Sequence, residues 1–419
     1  MVNTYSTRAN TVGVSRRVGG LTLCFASAAL AQAPAEPSTA AAIEPAPAAV
    51  EPAAIQPAVA APAVAAPAAL EPAEPPLDFA GADAFEPAPS SALNVKMYGD
   101  TLFQARTDAP VNTTFAAAHL DLFATADVER LSFLTEVFFE GLDNEIATDL
   151  ERLQVSYLVA NWLRLRMGRT HTAFGYYNEA YHHGNLFELT TARPFGVDFE
   201  DDGGLLTAHL VGAGADGAFD LPGDGQLRYD IEVGNGRLGD ASAVALQEAG
   251  KNAKLVNLRL RWLPNDGLTL GLNVLHDQFP AVADALTAPG RPKIDEWVGG
   301  VHVAYMDHHV HALLEAYAIR HAAAVGPSAA TYGGFLELGY DLERFTPYFR
   351  TELIHFPEDG DLIFQADGSA YSGTKNLADF RLGVGWHLVP QLVVKLELQR
   401  LQAESSHQEL ATFMLAFGF

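Results

Sequence analysis

From Asn94 to Phe419 the chain is written in segments of about ten residues whose apolar positions recur every second residue, the period of a β-strand. Leu153, Val155, Tyr157 and Val159 share one face, with Arg152, Gln154 and Ser156 on the other. After Ala160-Asn161, the apolar face continues as Leu163, Leu165 and Met167 against Arg164 and Arg166. Leu227, Tyr229, Ile231 and Val233 oppose Arg228, Asp230 and Glu232, and Val256 to Trp262 alternates with Asn257, Arg259 and Arg261. Val394, Leu396 and Leu398 oppose Lys395, Glu397 and Gln399. The last segment carries Ala411, Phe413, Leu415, Phe417 and Phe419 on one face, with Thr412, Met414, Ala416 and Gly418 on the other. An apolar face outside and a charged face inside is the inverse of a water-soluble sandwich. The outer face must meet lipid, and the charged face must line a hollow.

Roughly sixteen such segments can be placed, beginning near 94, 115, 131, 151, 162, 203, 226, 253, 267, 296, 309, 331, 344, 376, 390 and 408. Short connections (127–130, 160–161, 264–267, 307–308, 341–343, 389–390) alternate with long ones (171–202, 235–252, 276–295, 321–330, 356–375). Two fit less well: 215–225 is long for a turn and 402–407 is short for a loop. The pattern predicts an all-β, transmembrane, antiparallel barrel of about sixteen strands, with both ends on the short-turn side and the longest loop after the fifth strand.

Composition narrows the setting. Lys and Arg number 26 against 51 Asp and Glu, a formal charge of −25, which excludes a nucleic-acid partner. No run of about eighteen apolar residues occurs outside an Ala/Pro tract, so no spanning helix is expected. Residues 1–31 read as a signal peptide. Arg8, Arg16 and Arg17 precede an apolar stretch from Val18 to Leu30, and Ala29-Leu30-Ala31 supplies the cleavage site. Ser15-Arg16-Arg17 hints at twin-arginine export, but a barrel must cross the inner membrane unfolded, so the general route is expected. Cys24, with no small residue before it for a lipobox, leaves with the signal. Residues 32–92, rich in Ala, Pro and Glu, can form neither helix nor core and read as a disordered periplasmic spacer, reaching on the order of 150 Å if extended. Such a spacer either tethers the barrel towards peptidoglycan or an inner-membrane partner, or has no partner at all.

The ending on Phe419 resembles the C-terminal signature of bacterial outer-membrane barrels, where a terminal Phe is read by the barrel-insertion machinery. Over 93–419 the architecture resembles the general bacterial porins, in which the loop after the fifth strand folds into the lumen. Gly168-Arg169, Phe174-Gly175-Tyr176-Tyr177-Asn178, His182-His183-Gly184, Arg193-Pro194 and Phe199 to Gly204 also resemble a porin-like group of outer-membrane proteins, a likeness that names no substrate. The resemblance implies the outer membrane of a two-membrane bacterium, contact with its lipid and lipopolysaccharide, and a homotrimer with small outward residues such as Gly299 and Gly334 at subunit contacts.

Candidate chemistry gathers in loop 170–202. It holds Glu179, Glu188, Asp198, Glu200, Asp201 and Asp202, and inward faces elsewhere carry Arg152, Arg164, Arg166, Arg228, Arg259, Arg261, Arg350 and Arg381. An acidic loop facing a basic wall would set a transverse field that filters solutes by charge; alternatively, these charges pair with one another in a hydrated lumen. His182, His183 and Glu200 offer ligand types for a divalent cation, although the acids could instead cap a turn before Gly203-Gly204. His309 and His311, on one face beside His308, have the same ambiguity. No nucleophile motif or metalloprotease signature is present, and an enzyme is not expected. The function expected is passive diffusion of small hydrophilic solutes or ions, without a cofactor. The alternative is a plugged barrel that anchors the envelope through residues 32–92.

Overall fold

A computed structural model describes residues 93–419, apart from 108–112, 143–144, 182–184, 224, 238–251, 283–289, 308, 359, 367–368, 370 and 405. Ahead of these it describes only a short antiparallel pairing of Arg17–Val18 with Leu21–Thr22. The signal, the Ala/Pro spacer, His182, His183 and His308 otherwise lie outside the described residues.

Among the described residues, sixteen strands close into one barrel. They are β1 (Asn94–Arg106), β2 (Thr113–Val128), β3 (Leu131–Leu142), β4 (Glu145–Ala160), β5 (Leu163–His171), β6 (His209–Asp220), β7 (Gln226–Asn235) and β8 (Leu255–Asn265). They continue as β9 (Leu268–Phe279), β10 (Ile294–Asp307), β11 (Val310–Ala323), β12 (Ser328–Tyr340), β13 (Phe345–His355), β14 (Asn376–Val389), β15 (Leu392–Ala403) and β16 (His407–Gly418). Each pairs antiparallel with its sequence neighbours, and β16 closes on β1 in the register Leu410 with Arg106 to Gly418 with Tyr98. Phe419 extends the seam: its backbone exchanges hydrogen bonds of 2.9 and 3.0 Å with Met97. Closure leaves no strand edge in lipid, where each unpaired backbone group would cost several kcal/mol.

The parity follows the sequence reading. Outward Leu153 is 53 % exposed, Met167 70 % and Leu398 64 %, whereas inward Arg259 and Arg350 are fully buried. Aromatic side chains stand near the short turns, including the stacked pairs Phe219–Tyr229 and Phe345–Trp386, at ring separations of 5.9 and 6.0 Å. Rings placed there suit the boundary between acyl chain and water.

Two boundaries differ from the sequence reading. β4 starts at Glu145 rather than near 151, and β6 starts at His209 rather than near 203. Leu205 and Leu206 look like the opening of a strand, but both are buried in the loop's own core. The chain doubles back there: Gly204 N–H donates to Phe199 O, and a Cβ at Gly204 would collide with the Asp198 carbonyl. The loop after the fifth strand therefore spans 172–208. A second long connection, 356–375, also turns inward, burying Phe356, Ile363, Phe364 and Tyr371. It is latched by His321, which contacts Asp361 at 2.7 Å and Glu296 at 2.8 Å.

Candidate functional site: the lumen loop and its wall

An irregular segment inside a barrel must satisfy its backbone without a ladder of its own. Loop 172–208 does so on the wall's side chains. Inward carboxylates accept its N–H groups: Glu232 from Ala173 at 2.9 Å, and Glu315 from Tyr176 and Tyr177 at 2.7 and 2.6 Å. Glu352 accepts from Phe195 and Gly196 at 2.7 and 2.8 Å, and Glu397 from Thr191 at 3.0 Å. Inward cations donate to its carbonyls. Lys395 Nζ reaches Glu188 O at 2.6 Å and Thr190 O at 2.8 Å, Arg259 reaches Gly175 O at 3.0 Å, and Arg350 reaches Arg193 O at 3.1 Å. Asn257 and Asn273 both donate to Ala173 O.

Two glycines permit the close approach. Gly175 has φ +69°, and its place against the Glu315 carboxylate leaves no room for a Cβ. A Cβ at Gly196 would overlap the Tyr317 hydroxyl. Within the loop, Arg193 donates to Tyr181 O, Val197 O and Asn178 Oδ1 while stacking 4.3 Å over the Phe199 ring. A planar guanidinium with five donors suits that organising place.

The candidate arginines fall into three groups. Arg164, Arg166, Arg228, Arg259 and Arg261 converge on β5, β7 and β8. Arg164 pairs with Asp216 at 3.0 Å, Arg166 with Glu232 at 2.7 Å, and Asp230 holds both Arg259 and Arg261 at 2.9 and 3.2 Å. Arg350 and Arg381 lie across the barrel on β13 and β14, the latter bound to Asp379 and Glu397 at 2.7 and 3.0 Å. Arg152 pairs with Glu136 on β3 and lies over the Phe123 ring.

The loop acid that meets these arginines, Glu179, does not stand opposite them across a gap. Glu179 is bonded directly to Arg259 and lies 3.7 Å from Arg166. Burial pushes its carboxyl upward, but Arg259 and its neighbours outweigh that and hold it below the usual range. Glu188 and Asp198 are buried in the loop; burial raises both, Asp198 to about 7 against the pull of Arg193. Glu200 bonds His209, while Asp201 faces solvent and Asp202 is half-buried. Where the loop packs on the wall and water is excluded, a buried carboxylate is tolerated only beside a cation or N–H group.

The metal-ligand geometry among the described residues gathers on Glu151, His171 and His209, whose donor atoms lie within 4.8 Å of one another. Glu200 touches that group through His209, and the expected partners His182 and His183 lie outside the described residues. His311 instead bonds Asp341 at 2.8 Å, close to a short turn. The seat residues Glu232, Glu315, Glu352, Glu397 and Lys395 were not picked out as functional from the sequence, although their inward parity places them on the lumen.

No protein-family model and no curated protein matches the sequence. Solved structures do match the fold. An anion-selective porin from Comamonas acidovorans aligns with a TM-score of 0.56 at 12 % identity, covering 79 % of this chain and 100 % of that one. The in-vitro folded outer-membrane protein OmpT of Vibrio cholerae aligns at 0.53 with 10 % identity, over 80 % and 100 %. The outer-membrane channel DcaP of Acinetobacter baumannii aligns at 0.52 with 10 % identity, over 80 % and 99 %. With its closed ring and apolar exterior, the chain has the fold of these outer-membrane porins, a sixteen-stranded β-barrel whose outer face suits lipid.

Proposed function

We propose that the barrel passes small hydrophilic solutes by diffusion, with loop 172–208 narrowing the path and with anionic solutes favoured. The observation that carries this reading is the unequal exposure inside the arginine group. Arg164, Arg228 and Arg261 are partly exposed, as is Glu179, while Asp216, Asp230 and Glu232 are buried. This site therefore presents more guanidinium ends than carboxylates to the lumen, three against the one of Glu179. Such a strip attracts anions and repels small cations, with no covalent step. An anion-selective porin among the structural neighbours is in keeping with this. The reading includes a homotrimer, as one neighbour is a trimer form of OmpT of Vibrio cholerae. It also includes contact with lipopolysaccharide, insertion through Phe419, and no enzymatic activity.

A second reading rests on a different observation. Loop 172–208 contacts wall side chains on β1, β7, β8, β9, β11, β13 and β15, and connection 356–375 folds inward as well. So thorough a seat also suits a plugged barrel that anchors the envelope through residues 32–92. Planar-bilayer recording separates the two. The diffusion reading expects stepwise current with a reversal potential on the anion side in a salt gradient; a silent membrane, with insertion verified, supports the plug.

A further inference from the structure

We propose that Glu151, His171 and His209 bind a divalent transition-metal ion of the zinc type, which fastens both ends of loop 172–208 to β4. His171 is the last residue of β5 and His209 the first of β6, and the two are direct partners across that pair, with rings 5.1 Å apart. Glu151, from β4, brings its carboxylate to within 2.5 Å of His209 Nε2. All three residues are buried.

The surroundings fix which nitrogen each ring offers. His171 Nδ1 lies 3.1 Å from the Asn178 carbonyl, which can only accept, so Nδ1 carries the proton and Nε2 the lone pair. His209 has a carboxylate at each nitrogen, Glu200 Oε2 2.8 Å from Nδ1 and Glu151 Oε2 2.5 Å from Nε2, so a metal entering beside Glu151 takes the place of a proton at Nε2 while Glu200 keeps the Nδ1 proton. This is the outer-shell arrangement that orients metal-binding imidazoles, one held by a carbonyl and one by a carboxylate. Two histidines and one carboxylate form a donor set suited to tetrahedral zinc with a water in the fourth position. Charge also balances, since Glu151 and Glu200 together offset a dication. Ligand atoms around zinc stand about 3.3 Å apart, so Glu151 must retreat by under about 1 Å from His209 to admit the ion. Arg169, 3.6 Å from the same Glu151 oxygen and 3.3 Å from Asp149, has a second carboxylate to turn to as the metal enters. Phe199, stacked on His209 at 5.4 Å, shields the site on one side, and exposed Asp201 lies next to Glu200.

The competing occupant is a proton, which would make His209 an imidazolium shared between Glu151 and Glu200. The test uses the full mature chain, folded in detergent and stripped with chelator, titrated with zinc chloride by calorimetry and with cobalt chloride by visible absorption. One zinc per chain and an intense tetrahedral cobalt band are expected, with magnesium giving no heat. His171→Gln should lower zinc affinity at least about tenfold and abolish the band, and Glu200→Gln should weaken binding by about 10- to 100-fold. Folding of each variant is verified by its heat-modifiable gel mobility; if one fails to fold, Glu151→Gln replaces it. Zinc binding that persists unchanged in folded His171→Gln, or no zinc uptake by the parent chain, overturns the proposal.

Discussion

At the scale of single residues, the lumen shows buried charge used as scaffolding. Lys395 is buried and spends its ammonium on carbonyls of the loop. Lys395→Met removes those bonds and leaves the carbonyls unpaired, so a loss of about 2–3 kcal/mol is expected in urea unfolding from lipid vesicles. Gly196→Val should unseat the loop from Tyr317 and Glu352, raising single-channel conductance while the barrel keeps its heat-resistant mobility. Replacing Arg164, Arg228 and Arg261 together by Gln should move the reversal potential towards cations; an unmoved potential would remove those three from the filter. Arg166 is less suited to that test, because it is wedged among Asp216, Asp230, Glu232 and Glu179, and its loss would take a cation from all four and the paired cation from buried Glu232.

At the scale of elements, deletion of 176–196 takes away most of the loop's grip on β11, β13 and β15. The expected result is a larger conductance and a larger solute limit in a liposome-swelling series. Unchanged values would mean that another element, such as connection 356–375, sets the limit. The strands were legible in the sequence because period-two alternation is a local signal, repeated at Arg152 to Val159 and again at Lys395 to Gln399. Inward placement of the arginines followed from the same parity. Their partition into three groups did not, since it depends on which strands become neighbours around a closed ring. The loop was the least legible part. Its bonds join residues such as Thr191 and Glu397 or Phe195 and Glu352, far apart in the chain and without any period. The paired leucines at 205–206 even imitated a strand, because a buried loop core and a strand face call for the same side chains.

At the scale of the whole molecule, rows of Leu, Val and aromatic residues face outward around the ring, so lipid or detergent is the only solvent in which the closed barrel is at ease. Leu398→Arg, in the middle of β15, should cost about 2–4 kcal/mol in vesicle-based unfolding, whereas a substitution at exposed Glu358 should cost little.

The inner loop also touches the place where the two ends of the barrel meet. Asn185 bonds Asp100 on β1, Phe187 packs edge-on against Tyr98, and Leu186 lies against Met414 and Ala416 on β16. A segment from the middle of the chain thus rivets from within the joint that only the final residues can complete. Whatever pulls that rivet should let the barrel unzip sideways along β16 and β1, and whatever prevents the joint from forming should leave the loop without that end of its berth.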